Sequence, residues 1–127
     1  MSDHSVLGAI VLAALAAAGC ASPTSPDVVV EPIQVERLDV RILESWPPQA
    51  WAHVEGVLGD GCASFHSLHQ QRSGDAVVVT ILRQRPRDAI CTMIARLYET
   101  DIRLEGVYPP GTYLLRVNGL EKTFSTE

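Results

Sequence analysis

Side chains with catalytic chemistry occur close together near the middle of the chain. Asp60, Ser64 and His66 supply an acid, a nucleophile and a base. Serine hydrolases assemble these groups in space, so proximity in sequence does not predict a triad, and the Gly-x-Ser-x-Gly turn that exposes such a serine does not occur. His66 and His69 are three residues apart and would point to opposite faces of a strand, so they could bind a metal together, weakly and with His53, only if a bulge reorients them; surface histidines are the simpler interpretation. The sequence therefore predicts no catalytic residue, no metal site and no cofactor.

Three cysteines, Cys20, Cys62 and Cys91, are the other reactive groups. No two of them are spaced as Cys-x-x-Cys, the arrangement typical of zinc ligands and redox-active dithiols. Cys20 follows thirteen residues, Val6 to Ala18, that are apolar apart from one glycine. As a helix they would be about 20 Å long, too short to cross a hydrocarbon core of about 30 Å. This length is typical of the apolar part of a signal peptide.

The residues immediately before Cys20, Ala17-Ala18-Gly19, resemble the lipobox of bacterial lipoproteins, with Ala17 at a position where leucine is usual. The resemblance implies that residues 1–19 are removed as a signal peptide and that the Cys20 sulfur carries diacylglycerol. This lipid would hold the protein at a membrane of the bacterial cell envelope, facing the periplasm or the exterior. The alternatives are an ordinary secretory leader cleaved near Ala18, which would leave Cys20 as a free thiol, and a buried N-terminal helix.

An odd number of cysteines in an exported protein requires an explanation. Lipidation of Cys20 would leave Cys62 and Cys91 as a pair, which an oxidising compartment would join in a disulfide. The closed loop of about 29 residues would stabilise the fold by about 3.5 kcal/mol in the chain-entropy model. We therefore predict a structural Cys62–Cys91 disulfide.

The segment that follows Cys20 is rich in proline, serine and threonine and has the composition of a flexible tether. We predict a signal peptide over residues 1–19, a lipidated cysteine with its tether over residues 20–32, and one folded domain over residues 33–127. The chain has ten basic and fifteen acidic residues, a formal net charge of −5 at pH 7, with the two signs interspersed. A mildly acidic domain without a basic patch predicts no nucleic-acid binding.

From residue 35 onwards the sequence has the period of two that is typical of strands. Leu38, for example, begins an alternation of apolar and charged residues. Residues 76–82 (AVVVTIL) are apolar on both faces, which predicts a central strand buried on both sides. Phe65 and Leu68 are three apart, which predicts a β-bulge there. Residues 89–94 are counted as a further strand, although a single helical turn would also fit near them.

The C-terminal residues form the clearest unit. Two apolar strands meet across Asn118-Gly119, a dipeptide typical of two-residue hairpin turns. Tyr113 follows a Pro-Pro-Gly-Thr connection, which predicts a tyrosine corner in which the hydroxyl bonds back to that connection. Seven or eight short strands of this kind predict an all-β fold, an immunoglobulin-like antiparallel β-sandwich with one inter-strand disulfide.

Arg83, Arg85 and Arg87 form the most prominent cluster of like charges and are spaced by two around Pro86. We predict that residues 83–88 form an exposed, polar loop. Such a loop could bind a carboxylate or phosphate group through bidentate hydrogen bonds. The alternative is a solvated loop in which Asp88 is a local partner.

Four segments carry a resemblance to known proteins: Gly61-Cys62, Gln71-Arg72-x-Gly74-Asp75, Arg85-Pro86-x-Asp88-Ala89-x-Cys91-Thr92, and Gly111-x-Tyr113-x-x-x-Val117-Asn118-Gly119 with Phe124. In these segments the chain resembles small exported bacterial immunoglobulin-like domains, often lipoproteins, of uncharacterised function. The resemblance covers nearly the whole folded domain. It implies the sandwich fold and the disulfide, and it implies no activity.

Together these features predict an envelope-anchored, non-catalytic interaction or structural module. Its partners would be the membrane, through the N-terminal lipid, and an unidentified envelope or extracellular protein. The alternative is a cysteine-protease inhibitor of the chagasin-like class, whose members are also small exported immunoglobulin-like domains that insert loops into the protease cleft. Arg85-Pro86 echoes one loop motif of that class, without the aromatic residue that would follow the proline.

Overall fold

A computed structural model describes residues 27–127 of the chain. The signal peptide predicted over residues 1–19, Cys20 and the first part of the tether lie outside the described residues. Within residues 27–127, no helix is long and apolar enough to cross a membrane. The eight strands in chain order are β1 Val28–Pro32, β2 Gln34–Leu43, β3 Gln49–Gly59, β4 Ser64–Ser73, β5 Ala76–Pro86, β6 Arg96–Arg103, β7 Gly111–Val117 and β8 Leu120–Thr126.

The strands form two sheets. In the five-stranded sheet β5 is central: β4 pairs along one of its edges, β1 and β7 share the other edge, and β8 pairs with β7. The second sheet has the order β2-β3-β6, and both of its pairings are antiparallel. The predicted all-β sandwich fold is confirmed.

One pairing departs from the antiparallel pattern. β7 runs parallel to the first part of β5, with Ala76 opposite Leu114 and Val79 opposite Val117. β1 pairs antiparallel with the last part of the same edge, where Leu82 lies opposite Pro32. β1 and β7, which are far apart in the sequence, therefore pair with different parts of one edge of β5. No local sequence pattern predicts this arrangement.

β1 corrects the predicted extent of the tether, which was placed over residues 20–32. Val28–Pro32 is a strand, and its backbone is fully paired in register with residues 82–86. The proline and serine residues that suggested a tether lie earlier, whereas Val28, Val29 and Val30 are β-branched residues with high strand propensity. The folded domain thus begins about five residues earlier than predicted.

The core lies between the two sheets and contains small and β-branched side chains. Val54 of β3 and Val77, Val79 and Ile81 of β5 are completely inaccessible to solvent. Val78, by contrast, is 37% exposed, because a two-layer sandwich covers only one face of each sheet. The prediction that β5 is buried on both faces is therefore wrong, although β5 is central in its sheet.

Three local predictions are confirmed. The pairing of β4 with β5 shifts register between Phe65 and Ser67, which is the expected bulge. Asn118 and Gly119 form the two-residue turn between β7 and β8, with φ of 46° and 89°. Positive φ at both positions is typical of a type I′ turn. Tyr113 donates a hydrogen bond from its hydroxyl to the Pro109 carbonyl oxygen, 2.5 Å away, as expected for a tyrosine corner.

Asn118 has a second role that the turn motif did not predict. Its carboxamide lies where β1 and β7 meet on the edge of β5. Oδ1 accepts a hydrogen bond from the Ile81 amide at 2.9 Å, and Nδ2 donates to the carbonyl oxygens of Ile33 at 3.0 Å and Ile81 at 2.8 Å. The side chain therefore continues the hydrogen-bond ladder across the junction of the two strands.

Candidate functional site

The segment between β5 and β6, residues 87–95, is irregular, and we call it the Cys91 loop. Its middle part had been predicted as a strand because it is apolar, but residues 89–95 pair with no neighbouring strand. A disulfide joins Cys91 to Cys62 in the β3–β4 connection, with 5.5 Å between the Cα atoms. The predicted Cys62–Cys91 disulfide is confirmed.

Backbone hydrogen bonds hold the Cys91 loop on either side of the disulfide. The Arg87 amide donates to the Asp27 carbonyl oxygen at 2.8 Å, and the Gly61 amide donates to the Thr92 carbonyl oxygen at 3.0 Å. A side chain at Gly61 would not fit, because its Cβ would lie 2.0 Å from Thr92 Oγ1. One covalent and two backbone links therefore constrain a nine-residue loop, which lowers the conformational entropy that binding would cost.

The Cys91 loop exposes large apolar side chains. Ile90, Met93 and Ile94, which we call the apolar tip, have relative exposures of 103%, 94% and 73%. Leu97, just inside β6, is 77% exposed. Single apolar residues are common on protein surfaces, but several in one short loop form a patch of the kind that marks an interaction site. Residues 89–94, predicted as a strand, therefore lie in an irregular loop that presents these apolar side chains to solvent.

The three arginines predicted to form an exposed loop are placed differently. Arg83 and Arg85 lie within β5, where Arg83 is paired with both β1 and β4 and Arg85 with β1, and only Arg87 belongs to the loop. Arg83 lies 2.9 Å from Glu31 and Arg85 lies 2.6 Å from Asp60, measured between their Nη2 and carboxylate oxygen atoms. β5 extends past its apolar part because partners on both edges satisfy its backbone. The predicted loop is thus corrected to a strand end whose first two arginines are ion-paired.

Asp60 and His66 make their hydrogen bonds elsewhere than with each other. Asp60 Oδ1 accepts from the Cys62 amide at 3.0 Å while Oδ2 accepts from Arg85. His66 Nδ1 lies 2.9 Å from Ser67 Oγ. Asp60 thus holds the β3–β4 connection beside the disulfide. The sulfur atoms of Cys62 and Cys91 approach the same carboxylate, but a disulfide sulfur is not a thiolate ligand.

A cluster of charged groups that sequence reasoning missed lies on the outer face of the β2-β3-β6 sheet. His53 Nδ1 is 2.7 Å from Asp101, and Nε2 is 3.1 Å from Glu99 and 3.4 Å from Glu55. Hydrogen bonds to Asp101 and Glu55, aided by the charges of Asp101 and Glu99, raise the pKa of His53 above 6.5. Strand alternation places His53 and Glu55 on one face, but only the pairing of β3 with β6 brings the other carboxylates there.

Arg72 has a structural role, and it belongs to the segment Gln71-Arg72-x-Gly74-Asp75 that resembled known domains. Nη1 donates to the Val107 carbonyl oxygen at 2.6 Å, and Nε donates to the Gly74 carbonyl oxygen at 3.2 Å. The guanidinium carbon lies 4.3 Å from the centre of the buried Tyr108 ring, an arrangement typical of cation–π contacts. Arg72 therefore fastens the β6–β7 connection to the end of β4, a structural role at the end of the sandwich opposite the Cys91 loop.

Residues 52–126 match the model of the ORF11 beta-sandwich domain family. The chain belongs to this family. The range of the ORF11 domain begins within β3 and includes the disulfide, the Cys91 loop and the Asn118-Gly119 turn. It therefore contains the disulfide that constrains the Cys91 loop and the apolar tip that this loop exposes.

Similar proteins occur in Herpetosiphon aurantiacus. One, an uncharacterized 10.2 kDa protein in the HgiCIIM 5′ region, is 34% identical over 86 residues, which are 68% of this chain and 92% of the relative. A second, in the HgiBIM 5′ region, is 35% identical over 74 residues, 58% of this chain and 90% of the relative. No solved structure matches the chain.

Proposed function

We propose that this protein is an exported bacterial lipoprotein in which a lipid on Cys20 anchors a non-catalytic β-sandwich domain to the cell envelope. The observation that carries the proposal is the Cys62–Cys91 disulfide. Disulfides of this kind persist in exported proteins and are rare in reducing compartments. The disulfide uses two of the three cysteines and leaves Cys20, which follows the signal-peptide and lipobox patterns.

The Cys91 loop supports an interaction role for the domain. Its backbone is fixed at Cys91 and at Arg87 and Thr92, while its apolar side chains face solvent. A constrained loop at the end of a sandwich is the usual place for binding in such folds. The proposed module therefore acts by contact through this end and not by chemistry.

The anchor is tested by metabolic labelling of the full chain with an alkyne fatty acid in a bacterial host. The unmodified protein is expected to carry the label and to sediment with membranes. Cys20→Ser is expected to lose the label and to appear in the soluble envelope fraction. The matched control, Cys62→Ser with Cys91→Ser, keeps the label because it retains Cys20. A Cys20→Ser protein that is still labelled and sedimented would contradict the proposal.

The chagasin-like alternative would use the same loop, because protease inhibitors insert rigid loops into the active-site cleft of the protease. Its sequence motif is weakened by the placement of Arg85 in β5, where it pairs with Asp60. An inhibition assay with papain separates the two functions. Inhibition at micromolar concentration that Ile90→Asp abolishes would support the inhibitor, and full papain activity at that concentration would exclude it.

A further inference from the structure

The chain enters the sandwich at the same end that carries the apolar tip. Asp27, the first described residue, accepts a hydrogen bond from the amide of Arg87, which begins the Cys91 loop. The next residue, Val28, lies opposite Pro86 at the end of β5. The N-terminal entry point and the Cys91 loop are therefore neighbours.

This position limits how far the loop can lie from a lipid on Cys20. Six residues, 21–26, separate Cys20 from Asp27, so the chain makes seven residue steps between them. A chain rises at most about 3.6 Å per residue, so the entry point lies within about 25 Å of Cys20 in any conformation of those residues. The other end of the sandwich lies the length of β3 from this entry end, and the eleven residues of β3 rise about 33 Å, more than the tether can span. The apolar tip is thus on the end of the domain that an anchor at Cys20 keeps nearest the bilayer.

The chemistry of the loop end fits a bilayer interface. The apolar tip presents two isoleucines and a methionine, while Arg83 and Arg85 beside it are neutralised by Glu31 and Asp60. Burial of apolar side chains at the headgroup boundary stabilises peripheral association in proportion to the area removed from water. A tether also raises the effective concentration of the loop at the membrane, so a small apolar surface is sufficient.

We propose that the apolar tip inserts into the interfacial region of the same bilayer that holds the Cys20 lipid, and that this second contact holds the domain upright on the membrane. The inference rests on the proposed lipoprotein function, because Cys20 supplies the anchor. The occupant of the exposed apolar patch is then lipid and not a second protein chain, and the opposite end of the sandwich is directed away from the membrane.

Met93 provides a direct probe, since Met1, the only other methionine, lies in the predicted signal peptide. A water-soluble oxidant converts an exposed thioether to the sulfoxide, which adds one oxygen to the peptide containing Met93. The lipidated protein would be reconstituted in phosphatidylcholine vesicles and oxidised with chloramine-T, beside Cys20→Ser protein in buffer. We expect oxidation of Met93 to be at least tenfold slower in the vesicles.

Two loop variants make the test specific. Ile90→Asp with Ile94→Asp is expected to float with the vesicles, because the lipid is intact, and to be oxidised at Met93 as fast as the protein in buffer. The matched control, Trp46→Asp with Val107→Asp, changes two exposed apolar residues at the opposite end and is expected to keep Met93 protected. Loss of protection in this control would contradict insertion by the tip.

Other outcomes separate this inference from the proposed function. A labelled, floating protein with unprotected Met93 would overturn insertion and leave the lipoprotein proposal standing. A protein that neither incorporates the fatty acid nor floats would overturn both. Protection of Met93 in buffer that rises with protein concentration, together with dimers in sedimentation, would show that a second copy covers the tip and would overturn the lipid assignment.

Discussion

His53 has its imidazole among three carboxylates on the solvent face of β3, of which Asp101 is the nearest. Because hydrogen bonding to Asp101 is the largest cause of its raised pKa, we expect proton NMR titration to give His53 a pKa above 6.5. Asp101→Asn should move this pKa back towards 6.5. Asp88→Asn, an exposed carboxylate in the Cys91 loop, is the control and should leave it unchanged.

The sign of the pH dependence follows from the raised pKa of His53. A group that binds its proton more tightly in the folded state stabilises that state most below its unfolded pKa of 6.5. This contribution is lost as the pH rises through the folded pKa. We expect the free energy of unfolding of the unmodified protein to fall as the pH rises from 6.5 through the folded pKa of His53. The fall should be smaller in Asp101→Asn. Equal pH profiles for the two proteins would contradict the assignment.

Asn118 combines a positive φ with three side-chain hydrogen bonds to the backbone of Ile33 and Ile81. Asn118→Gly keeps the turn geometry and removes only the carboxamide, which leaves the buried Ile81 amide without its partner. We expect the free energy of unfolding to fall by about 2–3 kcal/mol, measured by urea denaturation. A loss below about 0.5 kcal/mol would show that the turn is the only role of the residue.

At the scale of elements, the disulfide is the main constraint on the Cys91 loop. Cys62→Ser with Cys91→Ser opens a closed loop of 29 residues and is expected to lower the free energy of unfolding by about 3.5 kcal/mol. Amide hydrogen exchange of residues 88–94 should become faster, because the loop then has only its backbone hydrogen bonds. Cys20→Ser leaves the disulfide intact and should change neither measurement.

Gly56 of β3 lies opposite Val35 of β2. A Cβ at this position would be 2.4 Å from the Gln34 carbonyl oxygen, which is backbone and cannot move without disturbing the pairing. We expect Gly56→Ala to lower the free energy of unfolding by about 2 kcal/mol or more, in the range of overpacked sites. At Gly111 the nearest atom to such a Cβ is 3.8 Å away, so Gly111→Ala is the control. Equal effects of the two substitutions would contradict the steric explanation.

The elements that could be predicted are those set by local chemistry. The Asn118-Gly119 turn, the Tyr113 corner and the bulge after Phe65 each depend on a few neighbouring residues, and each is confirmed. The disulfide could be predicted because three cysteines and a leader leave one pairing. These elements were enough to establish the sandwich class.

The elements that could not be predicted depend on distant pairing or on exposure. β1 is a strand because residues 82–86 of β5 have one edge free to pair with it. Arg83 lies in a strand because both edges of β5 are paired at that residue. Two of the three carboxylates around His53, those of Glu99 and Asp101, come from a strand more than forty residues later. Residues 89–94 were wrongly predicted as a strand. Apolar residues normally indicate burial, whereas those of the Cys91 loop are exposed on the surface.

At the scale of the whole molecule, the proposed orientation places Trp46 far from the bilayer. Trp46 is 92% exposed in the β2–β3 turn, at the end of the sandwich opposite the Cys91 loop. In a Trp51→Phe background, iodide should quench Trp46 fluorescence equally in vesicle-bound and lipid-free protein. The control is Ile90→Trp in a background with both native tryptophans changed to phenylalanine, where vesicles should reduce quenching severalfold. Shielding of Trp46 by vesicles would contradict an upright domain.

The shared edge of β5 is completed only by residues that are far apart in the sequence. β1 occupies only part of that edge, and the remainder is filled by β7 and by the carboxamide of Asn118, nine residues before Glu127. Contacts between the two ends of a chain are the slowest to form, since the intervening residues must first be brought together. A chain that is still emerging presents β5 with an unpaired edge, which invites pairing with other chains. The pairing of β7 and the Asn118 carboxamide with β5 therefore protects an edge that would otherwise be open to other chains.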